Sequence, residues 1–320
     1  IGHTGTWSQE PEHATWSFRY DMHTTADGGH VWADGMMDAW YLAGEPRAVE
    51  SALGLGEHIA WAMAPGFKAL GTHERSAGWS LRAIMAVYRG TNDPLYLEAA
   101  RRLAAVALQE QKLDQGGAWP HVLPKDHAGS QPGAVGNNLF LIGILLGGLQ
   151  AYHEASGDPA VLTALTAGAA WVSRSYDDTA CGWPYSATTA AEPLYSPGVG
   201  LNHLIIGPLA YVGRVTGDKR LLEIADSAMA ASVLQGATAF GKSLAQQMFF
   251  ASGTLAELQR WYAATRPDRG VSVLDGSPEA MAALLVRSAR SERFNVRAPN
   301  QKEFVVRSRA AGAELQALRT

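Results

Sequence analysis

Two tripeptides with proton-carrying ends, Trp119-Pro120-His121 and Trp183-Pro184-Tyr185, stand 64 residues apart, and Gly136 and Asn138 recur at the same spacing as Gly200 and Asn202. A constant offset across a long loop is the mark of a duplicated unit. Each copy offers an aromatic plane and a side chain able to move a proton, imidazole in one and phenol in the other. Asn202 adds an amide that can donate to a carboxylate, and His203 beside it adds a second imidazole at a helix start.

A third cluster is His73-Glu74-Arg75-Ser76-Ala77-Gly78-Trp79. Arg75 and Trp79 lie one helical turn apart on one face, and this pairing suits a carboxylate on a sugar ring. The guanidinium can pair bidentately with the acid while the indole stacks on the ring's apolar face. Read blandly, the same segment is a Glu–Arg surface network. A fourth cluster follows the glycine-rich run from His23 to Gly29: His30, Asp34 and Asp38 form a titratable stripe, and Trp32, Met36 and Trp40 form an apolar one. His23, Asp27 and His30 could gather, but the sequence holds neither a His-Glu-x-x-His run nor paired cysteines, so no metal and no cofactor is expected.

Helical hairpins must position these groups. Apolar periodicity predicts helix pairs broken by short turns at Gly44-Glu45-Pro46, Thr91-Asn92-Asp93-Pro94, Gly157-Asp158-Pro159 and Gly217-Asp218-Lys219, plus one further helix from Ser243 to about Thr265. Between hairpins run long loops at 65–73, 114–136, 176–199 and 236–242. In an antiparallel array all of these share one rim, together with the starts of the first helix of each pair. Long loops on a rigid scaffold make that rim the expected site. The helix starts there favour an anionic ligand group. The reading is an all-α array, an (α/α) toroid of hairpins over residues 1–265. Nine helices are legible against the twelve of a closed six-hairpin ring, so the array is expected to be open or incomplete. Residues 266–320 read as a C-terminal extension with a short helix over 280–288 and a strand at Phe304-Val305-Val306.

The composition removes other classes. With 320 residues and 47% hydrophobic side chains the chain can bury a large core. Its net charge of −4 leaves no basic footprint for nucleic acid, and no apolar run reaches the length of a membrane span. The single Cys181 excludes a disulfide framework. The chain starts at Ile1 without an initiator Met, which points to a processed end or a boundary within a longer parent. A secreted or periplasmic location is the expectation.

With these residues assembled, the chain resembles the α/α-toroid domains of carbohydrate-active enzymes, and in particular the C-terminal toroid of the exo-rhamnogalacturonan lyase (YetA-like) family. The resemblance rests on Gly29-His30 through Gly44-Glu45-Pro46, on His73 through Trp79, and on Thr91-Asn92-Asp93-Pro94-Leu95-Tyr96-Leu97-Glu98-Ala99, and covers about residues 20–265. It implies β-elimination on a uronic-acid-containing polysaccharide. In that expectation Arg75 and Asn202 neutralise the carboxylate, His121 or His203 is the base, and Tyr185 is the acid. His30, Asp34, His73, Glu74, Trp79, Trp119, Asn138 and Trp183 would hold the sugar. Two alternatives stand beside it. One is a six-hairpin glycoside hydrolase using Asp34 and Glu74 as its carboxylate pair, with Asp27 and Asp126 behind them. The other is a non-catalytic carbohydrate-binding toroid from a larger enzyme.

Overall fold

A computed structural model describes residues 31–71, 73–235 and 241–265, with three short strands beyond them. Helices α1 (Asp34–Ala43), α2 (Pro46–His58), α3 (Glu74–Thr91), α4 (Pro94–Glu110), α5 (Leu139–Ser156), α6 (Pro159–Arg174), α7 (Ile206–Thr216) and α8 (Lys219–Gln235) form four hairpins, and α9 (Gly241–Thr265) follows. A π turn over Ile59–Met63 and one helical turn at Ala64–Gly66 prolong α2.

The hairpin turns share one chemistry. A left-handed residue closes the first helix: Gly44, Asn92, Gly157 or Gly217. An acidic side chain then caps the next one, as Glu45 accepts from the Arg47 N–H, Asp93 from Leu95, Asp158 from Ala160 and Asp218 from Arg220. In the first three hairpins proline occupies the first helical position, where its missing N–H costs nothing. This is why the sequence announced the turns so clearly.

Helices α1, α3, α5 and α7 pack side by side as an inner layer, and α4, α6 and α8 as an outer one. The densest contact joins α3 to α5, where two glycines let the backbones touch. A Cβ on Gly78 would sit 2.5 Å from the Ile144 carbonyl oxygen, and one on Gly148 would sit 2.5 Å from the Gly78 oxygen. The core between the layers is aliphatic with a few fully buried aromatics, such as Leu81, Ile84, Leu145, Leu146 and Trp171. From α9, Phe250 meets Trp79 and His203, and Glu257 pairs with Arg214.

On the rim the loops carry a small antiparallel sheet that the helical pattern had not suggested. Its strands are β1 (His121–Val122), β2 (Val135–Asn138) and β3 (Ser186–Thr188), in that order. Asn138 pairs with Ser186, and His121 with Gly136. Asn137 and Asn138 lie on β2, and α5 starts at Leu139. Likewise Asn202 and His203 occupy a 3-10 turn ahead of α7, not the helix itself.

The contacts divide the chain into two compact units, one to Leu258 and one from Gln259. In the second, β4 (Val296–Arg297), β5 (Glu303–Arg307) and β6 (Gln316–Arg319) form an antiparallel sheet in that order. The strand expected at 304–306 falls within β5, whereas the helix expected over 280–288 lies outside the described residues. Among the described residues no helix is long and apolar enough to cross a membrane.

Candidate active site

The start of α3, the start of α5, the β1 strand and the loop around Tyr185 enclose a cleft of about 410 Å³. Its lining includes His73, Arg75, His121, His127, Asn138 and Tyr185. Two hydrogen-bonded groups carry its chemistry.

The first is built on Glu74, which is fully buried at the first turn of α3. Its Oε1 lies 3.1 Å from His121 Nδ1 and accepts from Asn137 Nδ2 at 2.8 Å. Asn137 in turn clamps the Trp119 backbone, accepting from its N–H at 3.1 Å and donating to its carbonyl at 2.6 Å. Glu74 Oε2 has no hydrogen-bond partner among the described residues. Burial pulls the His121 pKa down, but the hydrogen bond and charge of Glu74, helped by the Trp119 backbone, outweigh it and leave the pKa raised. The imidazole is thus held by Nδ1 as a strengthened proton carrier.

The second group links Asn138, His127 and Tyr185. His127 Nδ1 lies 3.0 Å from Asn138 Oδ1, and its Nε2 lies 3.3 Å from the Tyr185 hydroxyl. Ser186 Oγ donates to the His127 carbonyl, and Tyr195 bridges the two long loops by donating to the Asp126 carbonyl and accepting from the Gly129 N–H. Tyr185 is wedged among Phe140, His127 and Tyr195. Its pKa is raised by burial and by the Asp126 and Tyr195 charges, with Arg75 opposing. Asn138 is 1% exposed and its Nδ2 has no partner among the described residues, so a buried donor at the cleft wall is left for a ligand oxygen.

Of the residues singled out from sequence, Arg75, His73, His121, Asn138 and Tyr185 meet at this cleft. Glu74 lies beneath it. Asn202 does not join Arg75, because its Nδ2 donates to the Cys181 and Ala228 carbonyls and ties a loop to α8. His203 is buried against Phe250 with no hydrogen bond of normal geometry among the described residues, and burial lowers its pKa against a smaller opposing effect of Gln246. Trp119 and Trp183 are buried corners rather than stacking platforms, their indole N–H groups donating to the Ala107 and Val172 carbonyls.

Trp79 and Asp34 face a different cavity, of about 470 Å³, deeper along the inner helices. Trp79 packs edge-on against Trp32, and Asp34 lies 3.4 Å from Arg82 and 3.6 Å from Arg89. His30, with His23 and Asp27, lies outside the described residues. Sequence reasoning missed His127 and Asn137. Asn137 stands beside the repeat-matched Asn138, and that adjacency was the available signal.

The fold is similar to unsaturated glucuronyl hydrolase from Bacillus sp. GL1, described as responsible for glycosaminoglycan degradation, with a TM-score of 0.56 and 16% identity over 86% of this chain and 76% of that one. Unsaturated glucuronyl hydrolase from Streptococcus agalactiae is similar to the same degree, with a TM-score of 0.55 and 14% identity over 86% and 73%. Likeness at this identity establishes the α/α-toroid fold. No family model matches the chain, and no curated protein matches it.

Proposed function

We propose that the chain is a lyase that cleaves a uronic-acid-containing polysaccharide or oligosaccharide by β-elimination. The observation that carries this reading is the convergence of Arg75, His121, Tyr185 and the unpartnered amide of Asn138 on one cleft. Arg75 would pair with the uronate carboxylate, and Asn138 Nδ2 would donate to it. Neutralising that charge acidifies the C5 proton beside it. Asn138 thereby takes the part first given to Asn202.

His121 and Tyr185 are the two groups that exchange protons with the sugar. One removes the C5 proton and the other protonates O4 as the C4–O4 bond breaks. The Phe140 and Tyr185 rings supply an apolar wall for the ring face.

A retaining or inverting hydrolase would need two carboxylates flanking the bond. Glu74 is enclosed beneath His121, and Asp34 sits between two arginines in the other cavity. The lyase reading is therefore preferred. The hydrolases that share the fold are named for unsaturated glucuronyl sugars, which is in keeping with a uronate ligand. The test is incubation with rhamnogalacturonan, ulvan, glucuronan and acidic arabinogalactan while following ultraviolet absorbance from a new C4–C5 double bond. Growth of absorbance with cleavage supports the proposal, and cleavage yielding only saturated ends rejects it.

A further inference from the structure

We propose that Tyr185 is the base of this reaction and His121 the acid, with His127 acting behind Tyr185 as the acceptor of its proton. This rests on the lyase reading and reverses the roles expected from sequence. Hydrogen-bond direction around His127 carries the assignment. A neutral imidazole has one donor and one acceptor nitrogen. The Asn138 side chain is at 3.0 Å from His127 Nδ1 and its oxygen faces that nitrogen, so the ring proton sits on Nδ1 and Nε2 presents its lone pair. On that side stand the Tyr185 hydroxyl at 3.3 Å and, beyond hydrogen-bond reach at 3.6 Å, the exposed Asp126 carboxylate; with the ring neutral the hydroxyl donates to Nε2, and the carboxylate faces the proton once it arrives there. The phenol oxygen is then left with its lone pairs for the cleft, the orientation of a base and not of an acid.

Burial keeps Tyr185 protonated, so it cannot serve as a base unless its proton has somewhere to go. His127 provides that place. Asn138, Ser186 and the edge-on ring of Tyr185 hold the imidazole in register. His121 also lines the cleft, where Glu74 makes it a proton-rich group with Nε2 as its remaining donor.

The step balances. The C5–H bond breaks and its proton goes to Tyr185 Oη as the original phenol proton passes to His127 Nε2. The C5–H electron pair forms the C4–C5 double bond, the C4–O4 bond breaks, and O4 takes the proton of His121 Nε2. Solvent then removes one proton from His127 and returns one to His121. The charged and titratable groups around Tyr185 are His127, Asp126, Tyr195 and Arg75; around His121 the charged group is Glu74, with the neutral Asn137 amide beside it.

A leaving-group experiment tests this. A natural uronide is compared with a uronide carrying a 4-nitrophenoxy group at C4, whose departure needs no proton. Wild type releasing nitrophenolate with formation of the double bond upholds the lyase reading by itself, and its failure to do so rejects that reading. Given that activity, His121→Gln is expected to lose about 100-fold on the natural substrate, the usual reach of one acid or base, and to recover most of that loss on the aryl substrate. His127→Ala and Tyr185→Phe are expected to lose about 100-fold on both, with added imidazole restoring part of the His127→Ala rate. Recovery by the Tyr185 and His127 variants instead, with His121→Gln crippled on both, would overturn the assignment while leaving the lyase intact. If His127→Ala matches wild type on both substrates, His127 has no such role.

Discussion

Glu74 Oε1 sits 3.1 Å from His121 Nδ1 inside the protein, with no solvent exposure of the carboxylate side chain. Because the pair raises the His121 pKa, the imidazole keeps its proton to a higher pH than the usual value of about 6.5. With His121 as acid, the alkaline limb of kcat/KM reports that proton. Glu74→Gln removes the charge and lets burial pull the pKa down, so the alkaline limb is expected to move to lower pH. Movement of the acid limb in its place would identify His121 as the base.

The same pair and His203 give stability dependences of opposite sign. His121, raised in the folded state, contributes stability that is fully present below its unfolded pKa and fades as pH rises through its raised folded value. His203, lowered by burial, costs nothing above its unfolded pKa and weakens the fold as pH falls below about 6.5 towards its depressed folded value. Replacing His203 by Leu is expected to flatten the acid side of the unfolding free-energy profile measured in urea. Replacing Glu74 by Gln is expected to remove the stabilisation that His121 gives on that side.

Arg75→Ala is expected to raise KM about 10- to 100-fold for a uronate substrate, the loss of one hydrogen-bonded charge pair. A methyl-esterified uronate, which has no charge to pair, should discriminate little between wild type and variant. Steady-state kinetics on the two substrates checks this. An equal effect on both would place Arg75 outside the carboxylate subsite.

Gly148→Ala puts a methyl group against the Gly78 backbone, where the space is 2.5 Å. The α3–α5 contact must open, and a loss of about 1–3 kcal/mol or more is expected. Because these two helices also carry Glu74, Arg75 and Asn138 at their starts, activity should fall at temperatures well below the melting transition. Thermal unfolding followed alongside activity measures both. Gly157→Ala, by contrast, strains only a left-handed turn in open space and should leave the site's kinetics unchanged.

The hairpins were legible because each turn concentrates its signal in three adjacent residues, a left-handed closer, an acidic cap and usually proline. The cleft was legible only in part. Arg75, His121 and Tyr185 stood out by residue type and repeat spacing, but which way a side chain points depends on tertiary partners. Trp119 and Trp183 look alike in sequence whether they stack on sugar or plug a helix, and the Ala107 and Val172 carbonyls decide for the plug. Asn138 and Asn202 match at one offset, yet the first lines the cleft and the second ties Cys181 to α8. Asp34, the first residue of α1, meets Arg82 and Arg89 well inside α3 rather than the start of that helix, so it faces the other cavity. His127 carried no local signal, since only the pairing of β2 with β3 brings Asn138 and Tyr185 to its two nitrogens.

The central claim is elimination rather than hydrolysis, and the most direct measurement is the mass of the products formed in heavy-oxygen water from a uronate polysaccharide. Elimination adds no water across the broken bond, so the account predicts a product pair lighter by one water than a hydrolytic pair, with no heavy oxygen at the new reducing end. Heavy oxygen incorporated there, with intact saturated uronate, would contradict it.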